Sequence, residues 1–155
     1  MTELPIAAFQ LHGYNNEHIC LNISQVYGFP DEISYGGGYF VKGNLDICVG
    51  SYSVLAEHSF TTGQLYNFYC QLQKCYDTIS GKAVLENVEG ELELELTFQK
   101  TGKVLAAGMF QERPDVDTRL RFEMITDQAA IASVLRELKN VYNTFGDENG
   151  IVKLR

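Results

Sequence analysis

Residues 60–76, FTTGQLYNFYCQLQKCY, carry the clearest signal for the fold. The run Thr61-Thr62-Gly63-Gln64 has the form of a capping box, in which a threonine oxygen accepts one free N–H at the helix start and the glutamine reaches back to another. Apolar side chains then recur at the spacing of one helical face, at Leu65, Phe68, Tyr69, Leu72 and Tyr76. The stretch therefore predicts an amphipathic helix over about residues 62–77, with one face that another element must cover.

Alternating apolar and polar residues on both sides of this helix predict β-strands. The strands are expected at 6–12, 18–27, 39–49 and 53–60, and again at 82–88, 91–99, 103–112 and 118–125. The run ELELELTF at 91–98 alternates strictly, which is typical of a half-buried strand with its glutamates in solvent. Hairpin turns are predicted at Gly50-Ser51 and at Thr101-Gly102.

A second amphipathic helix is predicted near the end of the sequence, over about residues 127–145. Thr126 is the expected cap, Asp127 places negative charge at the positive end of the helix, and Gly146 is placed to end it. The polar residues 147–155 are expected to fray. We therefore predict a single α+β domain over residues 1–155, with a largely antiparallel, twisted sheet of about seven or eight strands packed against two helices.

The composition narrows the classes of function. The chain has 155 residues, 20 acids and 12 bases, which gives a net charge of −8. A chain this acidic repels phosphate backbones and anionic lipid surfaces, so we expect no nucleic acid or membrane partner. No apolar run has the length of a membrane helix, and no basic, then apolar leader is visible, so a cytoplasmic protein is expected.

No motif in the sequence indicates catalysis, a cofactor or a metal. The three histidines, His12, His18 and His58, have no partner at metal-ligand spacing and are read as surface or edge residues. The four cysteines contain no C-x-x-C pair and are read as reduced and mostly buried. The glycine-rich run 35–39, YGGGY, leads into a strand, whereas a phosphate-binding loop leads into a helix.

Two groups of side chains are our candidates for contacting a partner. The first is acidic and lies on or before the strand at 91–99: Glu89, Glu91, Glu93 and Glu95. The second lies in the irregular stretch before residue 40 and combines aromatic rings with carboxylates: Tyr35, Tyr39, Asp31 and Glu32. Residues 1–99 hold twelve acids and three lysines, so their charge favours a basic partner. A plain solvated face remains the alternative, since most charged surfaces bind nothing.

Several runs, taken in order, resemble one protein family. FTTGQLYNF at 60–68 resembles the T-T-x-E-L-x-x-F helix start of the WapI-like family of bacterial immunity proteins. ISGKA at 79–83, TGKV at 101–104 and LRFE at 120–123 leading into TDQ at 126–128 are also similar to that family. The resemblance covers about residues 39–146.

The resemblance implies an antitoxin-like protein that is not an enzyme. Such a protein binds the toxic C-terminal domain of a polymorphic or contact-dependent toxin made by the same cell, and it acts by occlusion. Two other classes stay open at this stage. One is a small hydrolase-like enzyme using His58 or His12, and the other is a ligand-binding or scaffold domain with a self-associating edge strand.

Overall fold

Two antiparallel sheets and two helices make up residues 3–86 and 90–153, the part of the chain that this computed structural model describes; Glu86 is described by its backbone alone. The helices are α1 (Thr62–Thr78) and α2 (Gln128–Phe145). Within these residues the strands, in chain order, are β1 (Ile6–His12), β2 (His18–Ile23), β3 (Gln25–Tyr27), β4 (Phe40–Val49), β5 (Tyr52–Thr61), β6 (Lys82–Glu86), β7 (Leu92–Phe98), β8 (Lys103–Phe110) and β9 (Leu120–Asp127). The predicted α+β class is confirmed.

The first sheet is built around the long strand β4. β5 pairs with β4 along its whole length, and β2 and β3 share the other side of β4, with β1 outside β2. The predicted strand 18–27 is therefore two strands, which are separated at Ser24. Gly43 lies opposite this break, where a Cβ would overlap the Asn22 carbonyl oxygen, so the close approach of the two strands requires glycine there.

The second sheet is a simple meander in the order β6-β7-β8-β9. The alternation in β7 has the predicted outcome, with its leucines and Phe98 buried and Glu93 exposed. The nine strands of the described residues lie in two sheets instead of the predicted one. β5 runs directly into α1, and β6, the next strand, pairs with β7 and not with a strand of the first sheet.

Each helix begins directly after a strand, and the last residue of that strand is its N-cap. Thr61 caps α1, and its Oγ1 accepts from Gln64 N at 3.2 Å while Gln64 Oε1 accepts from Thr61 N at 2.9 Å, so the predicted capping box is confirmed. The sequence analysis named Thr126 as the cap of α2, and this prediction was wrong. Asp127 takes that role by accepting from Ala130 N, and the Thr126 hydroxyl instead donates to the His12 carbonyl oxygen at 2.7 Å.

Each helix packs mainly against the sheet that it does not follow in the chain. α1 packs against β6 and α2, and α2 packs against β1 and α1. A side chain of each helix also covers the outer edge of the strand it meets. Gln71 accepts from Val84 N at 3.0 Å and donates to Val84 O at 3.2 Å, while Glu137 accepts from Gln10 N at 2.8 Å. Both contacts occupy edge groups that would otherwise be open to another strand.

One hydrophobic core joins residues of both sheets and both helices. His58 belongs to this core, because it is 2% exposed, and its ring stacks on Phe60. Its assignment as a surface or edge histidine was wrong. The cysteines also differ from the expectation, since Cys75 is buried whereas Cys70 is exposed and the other two are half-buried.

Residues 147–153 fold back against the end of α2. Asp147 is buried, and its Oδ1 accepts from Asn149 N at 2.9 Å and from Ile151 N at 3.1 Å. The Lys153 N–H donates to the Tyr142 hydroxyl at 2.9 Å. The fraying of residues 147–155 stays a prediction, and these contacts oppose it as far as residue 153.

Candidate protein-binding surfaces

The outer face of the second sheet contains an open groove of about 490 Å³, which we call the sheet groove. Its apolar floor is formed by Ala107 and Met109 of β8, and Val84 of β6 lines it beyond Glu95. Glu93 and Glu95 of β7 stand on one side of it, and Arg121 and Glu123 of β9 stand on the other. Strand pairing fixes this arrangement, because Glu95, Ala107 and Glu123 lie in one cross-strand row and Glu93, Met109 and Arg121 lie in the next.

The charges of the sheet groove are predominantly negative. Three carboxylates and one guanidinium line it. Glu95 also pairs with Lys82 at 3.0 Å, but both side chains are well exposed, so this ion pair contributes little. Among the described residues, neither Glu93 nor Glu123 takes part in an ion pair within the protein. These two carboxylates therefore keep their charge available to a partner.

The predicted acidic group does not form one row. Glu93 and Glu95 line the groove, whereas Glu91 precedes β7, is 23% exposed, and places its Oε2 3.6 Å from Nδ1 of the buried His58. Glu91 therefore faces the edge of the core rather than open solvent. Glu89 lies outside the described residues.

The second predicted group lies in the loop between β3 and β4, which we call the Tyr35 loop (residues 28–39). Tyr35 is fully exposed, and Asp31 and Glu32 are exposed as well. The loop is held from behind, because Gly38 N donates to Glu148 O at 2.7 Å and Tyr39 N donates to Thr62 Oγ1 at 2.8 Å. It therefore presents Tyr35 on a fixed support.

Tyr39 is a correction to the predicted contact group. It is 3% exposed, meets the rings of Phe29 and Phe145, and donates its hydroxyl proton to the Pro30 carbonyl oxygen at 3.1 Å. Its place is in the core beneath the Tyr35 loop. The loop packs on α1 and on the chain after α2, so the structure does not bring the two predicted groups together in one surface.

The histidines outside these surfaces contact other residues of the fold. His58 lines an internal cavity whose volume is only about 10 Å³, the space of a single water and too little for a substrate. His18 lies on the outer face of the first sheet with its Nε2 3.0 Å from Asp46 Oδ1. Across the described residues, no group of three or more His, Cys, Asp or Glu side chains is arranged to hold a metal ion.

Burial controls the chemistry of Cys20, on the outer face of the first sheet. Desolvation, helped by the charges of Asp46 and Glu137, raises the pKa of the Cys20 thiol to about 11. The thiolate is therefore scarce at neutral pH, and the arrangement does not activate a nucleophile there.

The sequence analysis missed half of the sheet groove. Ala107, Met109, Arg121 and Glu123 were not among the predicted contact residues. The alternation of 120–124 showed that Arg121 and Glu123 face outward, and the small residues in LAAGMF at 105–110 hinted at a hollow in the sheet. What was lacking was the register that places β9 beside β8 and opposite the glutamates of β7.

Comparison with known proteins identifies the family of the chain. The model of the immunity protein WapI-like family matches residues 10–146, which run from β1 to the glycine after α2. The chain belongs to the immunity protein WapI-like family. The match extends beyond the 39–146 range of the motifs and takes in both sheets and both helices. No curated protein shows significant similarity to the chain.

A solved structure shares the fold. The crystal structure of Trypanosoma brucei MRP1/MRP2 is similar with a TM-score of 0.53 and 13% sequence identity, covering 91% of this chain and 86% of that chain. At this identity the likeness concerns the arrangement of sheets and helices alone. Across the described residues, neither α1 nor α2 has the length and apolarity of a membrane span.

Proposed function

We propose that this immunity-family protein neutralises a bacterial toxin by binding its C-terminal toxic domain one to one, without catalysis, in the cytoplasm. The observation that carries the proposal is the family match over residues 10–146, because it includes every helix and strand of the described chain except the first residues of β1. The bound protein occludes the active site or the substrate path of the toxin.

The charge distribution supports a basic partner. The predicted contact residues in the sheet groove and the Tyr35 loop are carboxylates and one exposed aromatic ring, and residues 1–99 carry a net charge of −9. Exposed tyrosines anchor protein interfaces, and facing charges of opposite sign accelerate association. We therefore propose two candidate contact surfaces, the sheet groove with Glu93 and Glu95 and the Tyr35 loop with Asp31, Glu32 and Tyr35. The half-buried Glu91, which comes directly before β7, stays in the proposal. Glu89 stays in it on the sequence alone, because it lies outside the described residues.

The test uses the C-terminal toxin domain made by the same cell. Cells that express this domain should grow only when they also make the protein. With purified components, toxin activity should fall linearly with added protein and vanish at a ratio of one to one. If instead a much smaller molar amount of protein abolished the toxin activity, and the loss grew with time, the protein would be acting as a catalyst.

A salt titration tests the electrostatic part separately. The screening length falls from about 10 Å at 0.1 M salt to about 3 Å at 1 M, so an interface steered by exposed charges should associate more slowly as salt is added. Association rates can be followed by stopped-flow fluorescence of a labelled toxin domain. A rate that does not change with salt would contradict the charge-steered interface while leaving one-to-one binding intact.

A further inference from the structure

The sheet groove and the Tyr35 loop are separate surfaces, and we infer that the sheet groove is the one that holds the toxin. Its occupant is a cationic segment of the toxin domain, with an arginine or lysine seated above Ala107 between Glu95 and Glu123. This inference rests on the proposed function and adds to it the site and the chemistry of the partner.

The two cross-strand rows differ in what they offer a ligand. Adjacent strands are about 4.8 Å apart, so the outer side chains of β7 and β9 stand roughly 10 Å from each other. Glu95 and Glu123 therefore flank Ala107, with one carboxylate on each side of it. The neighbouring row has a carboxylate at one end and the Arg121 guanidinium at the other, which makes it a poorer place for a cation.

The floor of the groove suits the aliphatic part of a basic side chain. The stems of lysine and arginine pack along apolar surface while their charged ends stay among polar groups. Ala107 and Met109 supply such a surface between β7 and β9, and Ala107 is the smaller side chain of the two. A guanidinium seated there reaches carboxylates on both sides, and charge-assisted hydrogen bonds of this kind are stronger than neutral ones.

The groove on the outer face of the first sheet is less suited to this occupant. It has a volume of about 420 Å³, and Asp46 is the one charged residue among those that line it. That carboxylate already lies 3.0 Å from the His18 ring. The sheet groove thus combines an apolar floor with two carboxylates, Glu93 and Glu123, that take part in no ion pair among the described residues.

The first experiment compares two double variants that each remove two charges. Glu95→Gln/Glu123→Gln alters the groove, and Asp31→Asn/Glu32→Gln alters the Tyr35 loop. The probe is the purified C-terminal toxin domain of the same cell, and its affinity is measured by titration calorimetry at 150 mM salt. We expect about tenfold weaker binding for the groove variant, and a change within about threefold for the loop variant.

A second pair of variants tests occupancy of the groove without altering its acidic residues. Ala107→Arg fills the seat with a side chain of the protein itself, whereas Ala107→Ser leaves the seat open. Position 107 is on the outer face and half-buried, so the core is not disturbed, and circular dichroism with thermal melting verifies folding. We expect at least tenfold weaker binding for Ala107→Arg and nearly normal binding for Ala107→Ser.

The outcomes separate the inference from the function on which it rests. If the wild-type protein does not bind the toxin domain, the proposed function itself fails. If wild type binds and the folded groove variants bind equally well, the groove inference is overturned and the function stands. The groove inference is also overturned if the two charge variants weaken binding equally, because the effect would then reflect net charge and not position.

Discussion

Replacing Gly63 by alanine should destabilise the protein, although alanine is the better helix former. Gly63 lies in the first turn of α1, where the Tyr35 loop passes over the helix. A Cβ at this position would lie 2.6 Å from the carbonyl carbon and oxygen of Gly37, which are backbone atoms and cannot rotate away. The loop would have to move by about 0.8 Å for the nearest contact to reach an ordinary distance.

That movement disturbs hydrogen bonds between the loop and its support. Thr62 N donates to Tyr39 O at 2.9 Å, Tyr39 N donates to Thr62 Oγ1 at 2.8 Å, and Gly38 N donates to Glu148 O at 2.7 Å. Weakening two of them costs about 2 kcal/mol, and overpacking adds roughly 1 kcal/mol or more. The helix propensity of alanine returns up to about 1 kcal/mol. We therefore expect a net loss of about 2 kcal/mol.

Urea denaturation measures this loss as a change in the free energy of unfolding at constant m-value. The melting temperature should fall by about 4–8 °C for a chain of this length. Asn140→Ala is the control, because Asn140 is exposed in the middle of α2 and its replacement should gain a few tenths of a kcal/mol. A Gly63→Ala protein as stable as wild type would refute the close approach of loop and helix.

Three further predictions concern other contacts. Gln71→Ala removes the side chain that covers the β6 edge and should cost about 1 kcal/mol in urea denaturation and increase light scattering on storage. Asp147→Ala removes the acceptor of the Ile151 N–H, so the amides after residue 147 should lose protection from hydrogen exchange. At pH 8, Cys70 should react with iodoacetamide well before Cys20, because burial raises the Cys20 pKa to about 11 and Cys70 is exposed; mass spectrometry of timed samples gives the order.

Each of these predictions has a control on the same part of the molecule. Gln73→Ala changes a half-buried glutamine of α1 whose amide donates to Asp77 of the same helix, so it should not increase scattering. Glu148→Ala leaves the Asp147 carboxylate in place and should preserve the protection of the tail. Cys75 is buried and should react slowly as well. Equal scattering for the two glutamine variants, equal tail protection in the two acidic variants, or labelling of Cys20 before Cys70 would contradict the respective interpretation.

The sequence predicted those features that short stretches determine. The capping box before Leu65, the alternation of β7 and the glycine after α2 each act within a few residues, and the corresponding elements have nearly the predicted bounds. The division into two sheets depends instead on which strands pair across the chain. Alternation shows that a strand has an inner face, but it does not identify its neighbour.

His58 shows that more could have been extracted from the sequence. Val54, Ala56, His58 and Phe60 have the same parity in β5, so a strand with Phe60 inside must also place His58 inside. Glu91 was misplaced for a different reason. It shares the parity of Glu93 but precedes the strand, and its proximity to His58 depends on how the two sheets meet.

In the candidate surfaces, too, the sequence predicted what local patterns determine and missed what long-range contacts determine. The outward direction of Glu93 and Glu95 follows from alternation alone, whereas the groove exists because β8 places Ala107 between two acidic strands. Tyr39 was assigned to the surface since it flanks a glycine-rich loop. It is buried because that loop folds back toward Phe145, a residue more than a hundred positions later, and no local pattern specifies such a contact.

Each helix packs mainly against the sheet that it does not follow in the chain, and this has a consequence for synthesis on the ribosome. When the first sheet and α1 have emerged, α1 has no β6 to pack against, and the outer edge of β1 has no cover until α2, the final element of the described residues, is made. Neither half of the chain can therefore complete its packing before the other half has been made. A nascent chain that stops short of about residue 145 presents bare apolar surface and an open strand edge, the features that chaperones and proteases recognise.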